Sequence, residues 1–543
     1  MFGRKKRAAN AFFAGGAERV DASYDVVVIG SGAGGATIAR RLAETGKSIL
    51  ILERGPRLPI GVENWDAREV FIRERYKTTE VWRDRKNRKL HPTTHYWVGG
   101  NTSFYGSALF RFRKRDFDEV AHCDGVSPAW PISYADLKPY YDEAETIWRV
   151  RGDRAGDNAD PTDDPDAPQF ALPPIEDDPE IAALRADLKS GGWKPFVLPL
   201  GIDREDAAPW RGACVRCTTC GGFPCLMRAK SDARAIGGAA EAFANVTVQP
   251  DSRVVRLETD GRGREVTGVV YERAGETARV RGDVVVLAAG AVNSAALLLR
   301  SANATHPEGL ANGSDQVGRN FMFHTLSAVL STTGAPVKAS FSKTLALNDF
   351  YWGDPGGGFD YPMGNIQGLE YMNADAIRGQ VRAMVPTWAF PKVLANLIAR
   401  RILAFLAVTE DLPRAKNRVR INRRDEITLD YWYNNLEAHN RLVERFMGKM
   451  SELGRMCGCA RQHRYQFSEL LPLFGVAHQQ GTLRMGADPA SSVVAAACKA
   501  HELDNLYVGD TSVNVSSAAV NPTLTVVANG LRIGDHLIDR LGA

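Results

Sequence analysis

Hydrophobic and polar positions along the chain repeat with two periods. Tyr24–Gly30 (YDVVVIG) is an unbroken apolar, β-branched run closed by glycine, which predicts a strand buried on both faces. Helical spacing follows over Thr37–Thr45, and Ser48–Leu52 (SILIL) predicts a second buried strand, so the chain opens with a β-α-β unit. From Val246 the short alternating stretches VTV, RVVRLE, VTGVVYE and ARV, with turns at Asp260-Gly261 and Ala274-Gly275, predict a meander. It runs into Asp283–Gly290 (DVVVLAAG), another buried strand, and a helix near Asn293–Leu299. Leu436–Leu453 has helical periodicity, Leu506–Val508 predicts a short strand, and Leu524–Ile538 a closing helix, whereas Ala328–Asp425 has no clean period. Strands at both ends of a long insertion predict an α/β chain whose cofactor domain is assembled from discontinuous segments.

Two stretches stand apart from this pattern. Asp153–Asp178 is rich in Asp and Pro and reads as an exposed connection rather than core; its spacing lacks the glycine and terminal Glu of a calcium loop. Val393–Val408 is the strongest apolar run, but Arg400-Arg401 interrupt it and it is too short to span a bilayer. It reads as a buried or amphipathic helix, with an interfacial role as the alternative.

Composition narrows the function classes. The 543 residues carry a net charge of +4, with 44% hydrophobic and 24% charged positions. That is an ordinary globular balance, and it excludes a strongly basic nucleic-acid binder and an acidic disordered chain. Arg4-Lys5-Lys6-Arg7 opens a basic tail, 1–22, whose apolar stretch Ala8–Gly16 is too short for a signal peptide. The tail reads as frayed, or as an electrostatic contact for an anionic membrane surface. With no signal or transmembrane helix visible, the expected place is cytoplasmic or membrane-peripheral. Arg73–Lys89, with eight Lys/Arg and three acids, reads as a solvated face or as a patch for an electron acceptor or a membrane.

The first chemistry-bearing motif is Gly30-Ser31-Gly32-Ala33-Gly34-Gly35, a G-x-G-x-x-G between a strand and a helix, with Glu53 ending the next strand 23 residues after Gly30 and Arg54 beside it. Glycines let the backbone approach a pyrophosphate at a helix N-terminus, and the acid accepts ribose hydroxyls, so the pattern predicts dinucleotide binding. It does not choose between FAD and NAD.

The rest of the chain resembles the glucose–methanol–choline (GMC) family of flavin oxidoreductases, nearest to its bacterial dehydrogenase-like members. Trp97-Val98-Gly99-Gly100-Asn101-Thr102 is similar to the family's double-glycine flavin segment, and Trp130–Tyr134 with Tyr140-Tyr141 to its WPI-Y-L-PYY stretch. Val286–Gly290 with Ser294 and Leu297–Leu299, and then Val317–Asn320, resemble two further blocks. The tail resembles the two catalytic blocks: His478-Gln479-Gln480-Gly481-Thr482, then Asn505–Asp510 and, 43 residues after His478, Asn521-Pro522-Thr523. The resemblance implies a Rossmann-like FAD-binding domain over 23–130, 206–325 and 476–543, and a substrate domain with a largely antiparallel sheet over 131–205 and 326–475. It implies oxidation of an alcohol, with the hydride going to flavin N5, the proton to His478, and Asn521 orienting the alcohol oxygen. It places Val254 at the adenine, Asp510 near the ribityl chain or pyrophosphate, and Pro522 and Thr523 at a helix start aimed at the flavin ring. Phe104 stands where some relatives carry a histidine bonded to the flavin, with His95 the only close one, so the expected FAD is noncovalent. Tyr105 departs from the family's usual Asn. Expected partners are a small alcohol and an electron acceptor, which is a quinone, a cytochrome or a partner subunit; dioxygen, or non-oxidising chemistry as in the family's lyases and photodecarboxylase, is the alternative.

Cys214, Cys217, Cys220 and Cys225 form C-x2-C-x2-C-x4-C in one segment. Such thiolates can wrap an iron–sulfur cluster or zinc, and related multisubunit sugar dehydrogenases carry a cluster in this region. A disulfide and inert buried thiols are the other readings. Cys457-Gly458-Cys459 is too tight for a disulfide. The substrate stays open among sugars, sterols, aryl and long-chain alcohols; pocket residues are expected from Ser327–Asp425 and Gln466–Gly475, including Tyr351, Trp352, Trp388, Phe390 and Phe474.

Overall fold

The apolar run at Tyr24 becomes a strand, Ala22–Ile29, whose last four residues are fully buried. It lies at the centre of a seven-stranded sheet in a computed structural model that describes residues 22–204, 212–333, 336–371, 373–381, 386, 388–457, 459–466 and 476–543. The basic tail 1–21, Gly458 and Phe474 lie outside the described residues. Ile49–Leu52 and then Val246–Gln249 add in parallel on one side of the central strand. On the other side runs Glu276–Leu287, parallel to Ala22–Ile29 with Val28 opposite Val286. The sequence pattern split this stretch into two strands. The structure joins them into one of 12 residues, because Gly282 continues the extended chain with its missing Cβ against Val27. Its first half pairs antiparallel with Val266–Arg273, and its second half pairs in parallel with Leu506–Val508.

The helix after the first strand, Ala33–Leu42, packs its buried Ile38 and Leu42 inward. It passes into the short turn Ala43–Thr45 and stops at Gly46, whose φ of 74° is the usual left-handed end of a helix. The closing helix Thr523–Leu541 lies against it, with Gly530 at Thr37.

A second sheet is antiparallel throughout, in the order Cys459–Gln466, His324–Thr333, Ile402–Glu410, Asn365–Gly368, Leu345–Leu347, Phe196–Val197. The helix Leu436–Cys457 covers it, burying Leu442, Phe446 and Met450 with Val329 and Phe405. Val393–Val408 is not the single helix its apolar run predicts. Lys392–Ala399 is a helix that ends at Arg400, and Ile402–Glu410 is a strand flanked by partners on both edges. An apolar run buried on both faces has no period of its own, so pairing decides its state.

The connection Asp153–Asp178 is half-buried or exposed at every position except Ile175 and Asp178, as expected, and two of its acids also face buried arginines. Arg113, with a side chain 2% exposed, pairs with Asp160 at 2.6 Å, and Arg154 pairs with Asp163 at 2.8 Å. Those acids are counter-ions that a buried arginine requires.

Candidate active site

A cleft of about 410 Å³ opens where the strands Ala22–Ile29, Ile49–Leu52 and Glu276–Leu287 end. Three helices begin on its wall: Ala33–Leu42, Ala291–Arg300 and Thr523–Leu541. None has a side-chain cap or an acid in its first turn. Their free N–H groups and partial positive charge therefore converge on one cavity, which suits an anionic cofactor.

The glycine motif supplies the close approach. A Cβ at Gly34 would stand 1.7 Å from the Gly509 carbonyl oxygen, so only glycine lets the helix start press against the strand end at Val508. Gly32, by contrast, faces open space, and a Cβ at Gly100 would stand 3.5 Å from the Gly32 Cα. Ala33 and Gly30 line the same wall, with Gly35 packed behind on the Gly30 carbonyl. The Ser31 amide and hydroxyl donate to Glu53 Oε2 at 3.1 and 2.6 Å, and the Gly55 amide donates to Oε1 at 2.9 Å. Burial raises the Glu53 pKa against those bonds. Three donors leave about one of the carboxylate's four acceptor positions for a ribose hydroxyl. Arg54 lines the cleft, stacked 3.5 Å over Tyr96 and paired with Glu80 at 3.1 Å.

Gly99, at φ 96°, turns the chain into Gly100–Ser103. The Gly99 amide donates to Ser31 Oγ, and Thr102 Oγ1 donates to the Gly99 carbonyl, so the double-glycine segment is bonded to the first motif. Asn101 accepts from the His95 amide at 2.8 Å, and the His95 ring stacks on Phe104. Val254 lies on the opposite wall, where the register with Val270–Tyr271 shifts. Asp510 lines the cleft with both oxygens engaged: Oδ2 accepts from the Gly290 amide and Ser294 Oγ, and Oδ1 from the Ser512 amide. Burial raises its pKa against these bonds. It ties the strand end Leu506–Val508 to the start of the helix Ala291–Arg300.

His478 stands on a short turn, Val476–His478, on the wall of the cleft. Its Nδ1 lies 2.9 Å from Nδ1 of His324, and His324 Nε2 lies 3.1 Å from the Ser517 carbonyl oxygen. Burial, then the neighbouring His324, lowers the His478 pKa to about 3; burial lowers that of His324 to about 4. Both rings are neutral at neutral pH, and the geometry then assigns every proton. A carbonyl only accepts, so His324 carries its proton on Nε2 and accepts at Nδ1. His478 therefore donates from Nδ1, and its Nε2 keeps the lone pair. Asn521 immediately precedes Pro522 and Thr523, which line the cleft. Gln367 Nε2 donates to Asn521 Oδ1 at 3.2 Å, which leaves the Asn521 NH2 as a donor. The hydrogen bond of His478 thus goes to His324, and that of Asn521 to Gln367. Sequence reasoning missed both partners: Gln367 lies on a strand of the unpatterned stretch Ala328–Asp425, and His324 begins a strand just ahead of it.

The four cysteines meet at a separate small cavity, and all are free thiols. The iron–sulfur expectation does not fit them: among the described residues no group of three or more can hold a metal ion, and the Lys343 ammonium stands 2.9 Å from Cys220 Sγ, where a metal would. Of the aromatic pocket candidates, Tyr351 is buried and bonded to Asp116, whereas Trp388 is 84% exposed.

The sequence profiles of the GMC oxidoreductase family match residues 24–326 and 413–530. The chain is 34% identical to 6'''-hydroxyparomomycin C oxidase of Streptomyces lividus, over 97% of this chain and 93% of that protein. It is 28% identical to 2-methyl-1,2-propanediol dehydrogenase of Mycolicibacterium austroafricanum, over 95% of each. In fold it is similar to pyridoxine 4-oxidase from Mesorbium loti, with a TM-score of 0.62 at 19% identity, covering 94% of this chain and 99% of that one.

Proposed function

Because the chain belongs to the GMC oxidoreductase family, we propose that it oxidises a CH–OH group in this cleft with His478 as base and Asn521 as donor to the alcohol oxygen. An FAD-binding oxidoreductase acting on CH–OH groups is what its family and relatives make it. The three uncapped helix starts, Gly32, Gly100 and Glu53 fit that cofactor, which when bound supplies the hydride acceptor, N5. The chain does the rest. His478, neutral and with its free lone pair on Nε2, takes the hydroxyl proton. His324 and the Ser517 carbonyl keep the other His478 proton on Nδ1, so the base cannot turn its acid side to the substrate. Gln367 orients Asn521 so that its NH2 meets the oxygen where negative charge develops.

The observation that carries this reading is the ordered His478–His324–Ser517 chain at the cleft wall. The test is an anaerobic spectrum with a panel of alcohols: an alcohol that bleaches the flavin bands supports it. His478→Ala should keep FAD and lose turnover by roughly 10²–10⁴-fold, the usual worth of a positioned base; unchanged turnover refutes the assignment. We propose that reoxidation goes to a non-oxygen acceptor, a quinone, a cytochrome or a partner subunit. Dioxygen is the second reading, favoured by the relative named an oxidase at 34% identity. Oxygen uptake measured against dye reduction separates the two.

A further inference from the structure

The cysteine cavity has no part in alcohol oxidation, yet it is built in detail. Cys214, Cys217, Cys220 and Cys225 line it together with Lys230 and Glu370. Left-handed backbone at Arg216 and Thr218, conformations that side-chain-bearing residues avoid, coils the segment. Lys343 is 2% exposed and donates to Cys220 Sγ at 2.9 Å and to the Gly106 carbonyl. Burial works against its charge, but Cys220, Glu370 and Cys214 outweigh burial and raise its pKa, so it remains an ammonium. Lys230, also 2% exposed, donates to the carbonyls of Tyr105, Cys220 and Phe223. Burial raises the pKa of the Cys214 thiol, against the Arg216 amide, which donates to its sulfur at 3.4 Å, and Cys220, then Cys217 and Cys225, add to the rise.

We propose that Cys220 and Cys214 are a peroxide-responsive thiol–disulfide pair, with Cys220 as the attacking sulfur and Lys343 as its counter-ion. Cys220 sulfur attacks a peroxide oxygen; the S–O bond forms, the O–O bond breaks, and hydroxide leaves and is protonated to water. Cys214 sulfur then attacks the sulfenic sulfur; the S–S bond forms, the S–O bond breaks, and a second water leaves. Two thiols are oxidised by two electrons and the peroxide is reduced to two waters.

The pair is wired to the cofactor cleft. The Gly222 amide donates to the Phe104 carbonyl at 2.7 Å, Lys230 holds the Tyr105 carbonyl, and Lys343 holds that of Gly106. These three carbonyls follow directly on Gly100–Ser103, whose Gly100, Asn101 and Thr102 line the cleft. A disulfide takes the Cys220 sulfur away from Lys343 and loosens this attachment.

The test uses the FAD-loaded enzyme, freed of reductant under anaerobic conditions and given one equivalent of hydrogen peroxide, with alkylation and peptide mass spectrometry. The expected result is a Cys214–Cys220 disulfide reversed by dithiothreitol. In Cys214→Ser a dimedone adduct is expected on Cys220, and Lys343→Met should slow Cys220 oxidation by roughly tenfold or more. Both thiols still alkylated after peroxide in the natural sequence, or stoichiometric iron or zinc in the anaerobic protein, would overturn the proposal. These readouts do not depend on the alcohol reading.

A different observation carries a second proposal. Trp388, Val393, Leu394, Leu397 and Ile398 are 84, 73, 47, 52 and 38% exposed, a concentration of apolar side chains that a solvent-facing helix does not need. From Trp388 to Arg401 the chain carries the cations Lys392, Arg400 and Arg401 and no acid. Lys392 is shared with Asp375, while Arg400 and Arg401 are exposed at the helix end. We infer that this face docks on an acidic lipid surface, with the apolar side chains in the acyl boundary and the cations at the headgroups. The protein is expected to sediment with phosphatidylglycerol-containing vesicles and not with phosphatidylcholine alone. Leu394→Ser with Leu397→Ser should cut partitioning at least roughly tenfold, and Arg400→Ala and Arg401→Ala roughly fivefold each. Failure to sediment with acidic vesicles, or a homodimer that Leu397→Ser dissolves, would overturn it.

Discussion

Removing His324 is the sharpest perturbation the structure offers, because it leaves His478, the proposed base, in place and takes away the partner that orders it. In His324→Ala, His478 loses the acceptor at 2.9 Å from its Nδ1. Its proton is then free to sit on either ring nitrogen, and the ring free to turn. A positioned base is worth about 10²–10⁴-fold, and tautomer and orientation are most of what positioning means here, so kcat should fall about 10²–10³-fold. KM should change little, since His324 is fully buried behind His478. His324→Gln is the control: its amide oxygen can accept from His478 Nδ1 and its NH2 can donate to the Ser517 carbonyl. It should stay within about tenfold of the natural enzyme, well above the loss expected when the base itself goes. The assay is steady-state turnover on an alcohol that bleaches the flavin, normalised to bound FAD by absorbance so that lost cofactor is not counted as lost chemistry. A pH profile adds an independent readout. His478 titrates at about 3 and His324 at about 4, so kcat/KM should hold flat on the acid side past the pH where a free histidine protonates. Removing His324 removes one of the two causes depressing His478 and moves its acid limb upward. Turnover of His324→Ala within threefold of the natural enzyme, with FAD bound, would refute the reasoning.

Four other outcomes are expected. Gln367→Met leaves the Asn521 amide without its 3.2 Å partner, and kcat should fall on the order of tenfold, about the worth of one charge-directed hydrogen bond; no change in kcat would mean Asn521 is oriented by something else. Gly34→Ala places a methyl group 1.7 Å from the Gly509 carbonyl oxygen, so the purified variant should carry no FAD, and full flavin absorbance would contradict the packing. Buried neutral His324, at about 4 when folded and about 6.5 when unfolded, binds its proton more readily in the unfolded chain. Its stabilising contribution is therefore complete above about pH 6.5 and is lost as pH falls toward 4, by about 3 kcal/mol over that window; urea titrations should show this fall and His324→Gln should lessen it. Finally, trichloroacetic acid should release the flavin into the supernatant, because Phe104 offers no ring nitrogen to bond it; flavin on the pellet would point to His95, which lines the same cleft.

What was legible in the sequence follows from how local each signal is. Gly30–Gly35 and Glu53 could be singled out because a strand, a turn and a helix follow one another within a few dozen residues, and the tail blocks around His478 and Asn521 because each is a short motif; Gly30, Glu53 and His478 line one cleft. His324 and Gln367 could not. Each acquires its role only when His324–Thr333 and Asn365–Gly368 flank Ile402–Glu410 in the second sheet, pairings across roughly eighty and roughly forty residues with no period to announce them. The same sheet explains the misreading of Val393–Val408, since burial on both sides removes the alternation that distinguishes strand from helix. Lys343 was hidden for a related reason. A lone lysine in an unpatterned stretch carries no mark of a thiol that is remote in sequence and in contact in space.

The strand Glu276–Leu287 has a consequence for how the chain comes to be folded. One half of it closes a local hairpin with Val266–Arg273, which can form as soon as both have left the ribosome. The other half needs Leu506–Val508, more than two hundred residues later, and the helix Thr523–Leu541 that covers the first helix arrives later still. During synthesis the apolar strands Ala22–Ile29 and Glu276–Leu287 can pair, but the cofactor sheet cannot be finished or covered until nearly the whole chain is out. Contacts of such sequence separation fold slowly and leave strand edges open meanwhile. Truncation near the C-terminus should therefore yield aggregated protein rather than a smaller folded one, and FAD should bind only after the last helix has docked.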